Sequence, residues 1–95
     1  MPRVVCVSVN GIELWFNSND HLPPHFHAER LGDWEIKVHF MRARSEMVEV
    51  VYTTRPRHPT KRELKELLLQ SEKLRVALLK EFEDKVNVKA PGAKR

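Results

Sequence analysis

With 95 residues, about two-fifths of them apolar, the chain can fill one hydrophobic core and not two; its single cysteine, Cys6, excludes an internal disulfide, a thiolate metal cluster and a C-x-x-C redox pair. A reducing, cytoplasmic setting is therefore expected, and no apolar run approaches the length of a signal peptide core or a membrane span. Three of the four units of the +4 net charge reside at the end of the chain: Lys89, Lys94 and Arg95 follow the last acidic residue, Asp84, and up to residue 88 fourteen basic residues face thirteen acidic ones, which argues against a body-wide nucleic-acid footprint.

Residues 4–9 form a β-branched run, and Asn10-Gly11 separates it from Ile12, Leu14 and Phe16, which alternate with Glu13 and Trp15. Asn-Gly between two such runs predicts a hairpin with a type I′ turn that pairs Val9 with Ile12. Val5, Val7 and Val9 then share one face with Ile12, Leu14 and Phe16, and Cys6 and Ser8 share the other with Glu13 and Trp15. Turn residues follow at 17–20, and Pro23-Pro24 keeps the chain extended and denies it ladder donors until His25. A third strand is expected over residues 25–29. It returns through Arg30-Leu31-Gly32-Asp33 into a fourth strand, in which Trp34, Ile36, Val38 and Phe40 alternate with Glu35, Lys37 and His39. After the polar stretch 42–46, residues 47–52 make a fifth.

From Thr60 the apolar period lengthens to that of a helix. Thr60-Lys61-Arg62-Glu63 reads as a capping box, and Leu64, Leu67, Leu68, Leu74, Leu78 and Phe82 fall on one stripe with Ser71 as its polar member. One helix over residues 60–84 is expected, with Leu69 and Val76 off the stripe. The fold class is thus α+β: an antiparallel sheet of four to five strands, made of two β-hairpins plus one strand, packed in two layers on one long C-terminal helix. A single domain spans residues 1–86, and 87–95 form a disordered basic tail. The helix is expected to cover the face bearing Val5, Val7, Val9, Leu14, Phe26, Ile36, Val38, Val48 and Val50. The opposite face carries Cys6, Trp15, His25, His27, Glu29, Glu35, Lys37, His39 and Glu49.

That second face holds the most informative segment, His21-Leu-Pro-Pro-His25-Phe-His27-Ala28. Residues two apart on a strand point the same way, so His25 and His27 stand side by side, across from the row Glu35, Lys37 and His39. Three chemistries are open. Neutral imidazoles suit a divalent transition metal such as zinc, with His25 and His27 as ligands, His21, His39 or Asp20 as a third, and Glu29 or Glu35 as ligand or support. His21 reaches the pair only if the chain bends near Pro23, because four extended residues span about 13 to 14 Å. Alternatively, His25 and His27 work as an acid-base pair in a small hydrolase or nuclease, with Arg30, Arg42, Arg44 and Lys37 holding an anion. Thirdly, the histidines are structural, bonding carboxylates and backbone on a sheet face covered by a second subunit. Trp15 and Cys6 on that face favour such a cover, and a homodimer is the economical form of it.

Taken with the preceding Gly11-Ile-Glu-Leu-Trp-Phe16 strand, the run Asp20-His21-Leu-Pro-Pro-His25-Phe-His27-Ala28-Glu29 resembles the small bacterial proteins of the domain of unknown function 4160 family, over roughly residues 9–85. The resemblance implies an H-x-P-P-H-F-H-A motif followed by a β-hairpin and a charged C-terminal helix. It carries His21, Pro23, Pro24, His25, Phe26, His27 and Ala28 over as a signature without an assigned role. It also implies a short stand-alone chain with a small protein encoded alongside, as in a toxin-antitoxin pair. The function expected is a cytoplasmic binding or interaction module that uses Trp15, His21, His25, His27, Lys37 and His39 for a metal, a ligand or a protein partner. A nucleic-acid-binding regulator is the further alternative, through Arg55, Arg57, Lys61 and Arg62 around the helix N-terminus, with His58 and Lys65 beside them.

Overall fold

Period-two alternation in the first half and the capping box at Thr60 become a sheet and a helical layer in the computed structural model, which describes residues 2–17, 23–54 and 57–86. The strands β1 (Glu13–Trp15), β2 (Phe26–Arg30), β3 (Trp34–Val38) and β4 (Val48–Thr53) form one antiparallel sheet in the order β1-β2-β3-β4. Each strand pairs with its neighbour in sequence, so the sheet is a meander. A 3₁₀ turn, Arg44–Glu46, leads into β4, and helices α1 (Lys61–Lys73) and α2 (Arg75–Lys85) complete the fold. The expected α+β class holds, and the basic tail 87–95 lies outside the described residues.

The register aligns Leu14, Ala28, Ile36 and Val50 across the strands, and Phe26 with Val38 and Val48. Helix residues Leu67, Leu78 and Phe82 pack with this face into one core that also takes in Phe16, Trp34, Phe40 and Met47. Phe82 stands edge-on to both Phe16 and Phe40, an arrangement aromatic quadrupoles favour. Cover of the sheet thins along β4: Val48 packs partly against the core, but Val50 is 58% exposed although its row-mates Ile36 and Ala28 are fully buried. Val50 was expected in the core, and it lies beyond the helices' edge.

The first hairpin departs from expectation in three ways. Gly11 has φ +81° and no described non-glycine residue has positive φ, so the turn follows the type II pattern rather than type I′. Type II turns splay the strands they join. Consistent with this, the two arms meet only at the isolated bridges Val9↔Ile12 and Arg3↔Trp15, between which five residues on one side face two on the other. Val4 still donates to the Leu14 carbonyl, and residues 5–8 bow out of the ladder. Val4 and Val7 turn into the core, whereas Val5, expected there, is 74% exposed.

The backbone groups freed by the bow find partners on the helices. Glu81 accepts from the N–H of Val5 at 2.6 Å and of Cys6 at 3.2 Å. Gln70 accepts from Ser8 N–H and donates back to the Ser8 carbonyl, and Lys85 donates to the Arg3 carbonyl. Burial and the bond to Glu81 push the Cys6 thiol up to about 11, and Cys6 packs partly against the core rather than beside Trp15.

The single helix expected over 60–84 is broken at Leu74, where φ −111° and ψ 27° leave the helical range. Neither proline nor glycine is present. The i→i−4 bonds continue through the break, from Leu74 to Gln70 and from Leu78 to Leu74. Immediately after it, the Arg75 guanidinium donates to the carbonyls of Phe40 (2.7 Å) and Arg42 (2.9 Å), tying the start of α2 to the chain leaving β3. At the other end, the capping box is fully formed: Thr60 accepts from Glu63 N–H and the Glu63 carboxylate accepts from Thr60 N–H.

Candidate functional site

Across the face turned away from the helices, the register sets Trp15, His27, Lys37 and Glu49 in one row, and Glu13, Glu29, Glu35 and Tyr52 in the next. One residue beyond the Phe26↔Val38 pair, His25 and His39 stand together with ring centroids 5.2 Å apart, and His25 lies 5.2 Å from His27. Strand alternation and antiparallel register thus bring His25, His27 and His39 into one cluster, as expected. The three are only 4–7% exposed and are buried within the single chain.

Hydrogen bonding assigns the ring protons. A backbone carbonyl only accepts, so the 2.9 Å bond from His25 Nδ1 to the Pro23 carbonyl puts the proton on Nδ1. A carboxylate likewise accepts, which puts the proton of His39 on Nε2, 2.9 Å from Glu49, and that of His27 on Nδ1, 3.2 Å from Glu35. His27 Nε2 then presents a lone pair to the Asn17 amide nitrogen at 3.0 Å, while Asn17 Oδ1 accepts from Trp15 Nε1–H. The result is a directional chain from Trp15 through Asn17 and His27 to Glu35, with the indole stacked on the His27 ring at 13° and 5.3 Å. His39 Nδ1 is buried with no hydrogen-bond partner among the described residues.

The outer layer of the face is acidic. Glu49 and Glu13 are exposed and Glu29 and Glu35 half-buried, against Lys37 as the one basic side chain in the two rows. The bond from His39 and the nearby Lys37 ammonium hold the Glu49 carboxyl below its ordinary range. Tyr52 donates to Glu29 at 2.8 Å, and that bond raises its phenol. Among the described residues no hydroxyl or thiol bonds to the three imidazoles, and no group of three or more histidines, cysteines and carboxylates is placed to hold a metal ion.

His21 and Asp20, the conditional metal ligands, and Arg55 lie outside the described residues. Elsewhere the expected anion-binding side chains are engaged with carboxylates: Arg30 with Glu63, Arg44 with Glu72 and Arg57 with Asp33. Lys61, Arg62, His58 and Lys65 are exposed around the N-terminus of α1. Two backbone donors there are already taken by Thr60 and Glu63. Sequence reading missed Asn17. Its one signal was position, two residues after Trp15 and hence on the same strand face.

No described helix is long and apolar enough to cross a membrane. No curated protein and no solved structure matches the chain. A family model does match, over residues 11–83, that of a domain of unknown function, DUF4160. The match takes in the whole sheet, the imidazole cluster and both helices up to the last turn, and it begins after the bowed N-terminal segment. The chain belongs to the DUF4160 family.

Proposed function

We propose that the chain is an interaction module that docks a lysine- or arginine-bearing segment of a partner protein on the polar face of its sheet. One observation carries this reading: carboxylates dominate the outer layer of that face, Glu13, Glu29, Glu35 and Glu49 against Lys37, in a chain whose net charge is +4. The buried imidazoles act as the foundation. By donating to Glu35 and Glu49 they fix two of the carboxylates in place, and Trp15 and Tyr52 add aromatic surface beside them. Aromatic groups flanked by fixed carboxylates suit ammonium and guanidinium groups through charge and cation–π attraction. A small protein encoded alongside, as the family resemblance implies, is the natural source of such a segment.

The test is a titration of the full chain with a lysine/arginine-rich peptide, followed by indole fluorescence and calorimetry. A Glu13→Gln/Glu29→Gln/Glu49→Gln variant should lose binding. A variant with the same charge change on the helices, Glu66→Gln/Glu83→Gln/Asp84→Asn, should keep it. Equal weakening in both variants, or no binding by the unaltered chain at low salt, would sink the proposal.

A divalent transition metal ion of the zinc class is the second candidate, favoured by His39 alone. Its Nε2–H is committed to a carboxylate and its Nδ1 is buried without a partner, the arrangement that orients metal-binding imidazoles. His25, with its Nδ1–H on a carbonyl, is the neighbour at 5.2 Å. Metal content of tag-free protein, compared with a His25→Ala/His39→Ala variant, decides it: stoichiometric metal lost in the variant supports the ion, and its absence from both removes it.

A further inference from the structure

We propose that two copies of this chain pair antiparallel along β4, joining their sheets into one of eight strands with both helical layers on the same side. Dimerisation was expected to cover the histidine face, but those histidines are buried within the single chain. The apolar surface left open lies instead at the β4 edge. Val50 is 58% exposed on the helix side of the sheet, Val51 is 47% exposed, and Tyr52, next in the strand, is open as well.

β4 carries few of the features that keep sheet edges from pairing. Val48–Thr53 contains no proline and no lysine, and its one charge is Glu49. An irregularity opposite Glu35/Ile36 adds Val51 as an extra residue, but the strand still runs six residues, and its outer edge has no strand partner among the described residues. The opposite edge is different, since β1 is followed outward by the bowed segment, whose backbone is bonded to Glu81, Gln70 and Lys85.

The strand's own pattern selects a second copy as the occupant. A two-fold axis perpendicular to the sheet brings identical strands together antiparallel and leaves both helical layers on one side. With the axis near Val51, each Glu49 lies against the Tyr52–Thr53 half of the other strand and away from the second Glu49. Glu49, the strand's one charge, then faces the uncharged half of the partner strand. A parallel pairing would set Glu49 beside Glu49. The antiparallel pair also brings the two Val50 side chains into the gap between the helical layers, where the single chain leaves them in water.

Sedimentation equilibrium of the full chain should give twice the monomer mass at high concentration, with dissociation on dilution. Val50→Lys should shift the chain to monomer while circular dichroism stays unchanged, whereas Glu13→Lys on the other edge should leave the dimer intact. In a Cys6→Ser background, Val51→Cys should oxidise to a covalent dimer and Val5→Cys should not. This arm holds even where Val50→Lys disturbs folding. Monomer mass at every concentration overturns the proposal, and so does a dimer that survives Val50→Lys and fails to cross-link through residue 51.

Discussion

The two edges of the sheet are built from similar valine-rich segments and end in opposite conditions. Residues 5–8 leave the ladder, and helix side chains more than sixty residues away bond to their backbone: Glu81 on Val5 and Cys6, and Gln70 on Ser8. Val48–Thr53 stays in the ladder as an edge strand with one irregularity, opposite Glu35/Ile36. Long-range polar contacts therefore decide which valines are core. Val7 is buried beneath its bonded segment, while Val50, in register with core residues, is not.

The largest expected effect is on the strapped edge. Val7→Ala removes two buried methyl groups where neighbouring backbone is pinned, and should cost about 2 kcal/mol in urea unfolding. A loss below about 0.5 kcal/mol, the range of exposed substitutions, would mean that the bowed segment is not part of the core.

The anchor itself comes next. Burial raises the Glu81 carboxyl, but bonds from Lys85, Cys6 and Val5 outweigh it and hold it below the ordinary glutamate range. A lowered folded pKa means that the contribution is fully present above the ordinary glutamate range and fades as the pH falls through the folded value. Glu81→Gln should therefore cost about 1.5 kcal/mol at neutral pH, the lower end of the range for bonds to a charged group, and the gap from the unaltered chain should close in acid. Cys6 gives an independent readout. With its thiol up at about 11, alkylation at neutral pH is slow, and Glu81→Gln, by removing a bond and a charge that both raise it, should speed the reaction. An unchanged alkylation rate would place Glu81 outside the control of this segment.

What could be read from the sequence follows the same division between edges. Pro23-Pro24 and the alternation of residues 34–40 locate β2 and β3 to within a residue or two at most ends, and with them the shared face of His25, His27 and His39. Thr60 and Glu63 announce the helix start because every group in a capping box lies within four residues. Residues 4–9 were opaque: with valine at 4, 5, 7 and 9, a regular strand and a bowed one show the same apolar run, and Glu81 and Gln70 decide between them. The break at Leu74 depends in the same way on Arg75 reaching the Phe40 and Arg42 carbonyls. Strand period gave the histidines their face but could not give their burial, nor the proton positions set by Pro23, Glu35 and Glu49.

A smaller effect tests the turn that starts the difference. Gly11 sits at φ +81°, and a Cβ there would approach the Arg30 guanidinium at 3.2 Å, the far end of a flexible side chain. Gly11→Ala should cost about 1–2 kcal/mol, nearly all from the left-handed backbone. Gly32, at φ +83° with open space around it, isolates the backbone cost. Equal losses at the two glycines would show that the Arg30 contact costs nothing. A clearly larger loss at Gly11 would show that Arg30, held by Glu63, cannot move away.

The smallest effect belongs to the bare edge. Val50→Ala removes the same two methyl groups as Val7→Ala, from a residue of the same type. In dilute protein, where the monomer prevails, those methyl groups already touch water, so unfolding should shift by less than about 0.5 kcal/mol. The contrast of about 2 kcal/mol with Val7 comes from location alone, because residue type and deleted atoms are identical. At high protein concentration the comparison changes: if β4 pairs with β4, the Val50 methyl groups are buried between helical layers, and Val50→Ala should lower the melting temperature only there. A penalty that stays below about 0.5 kcal/mol at every concentration would leave the β4 edge bare in solution as well.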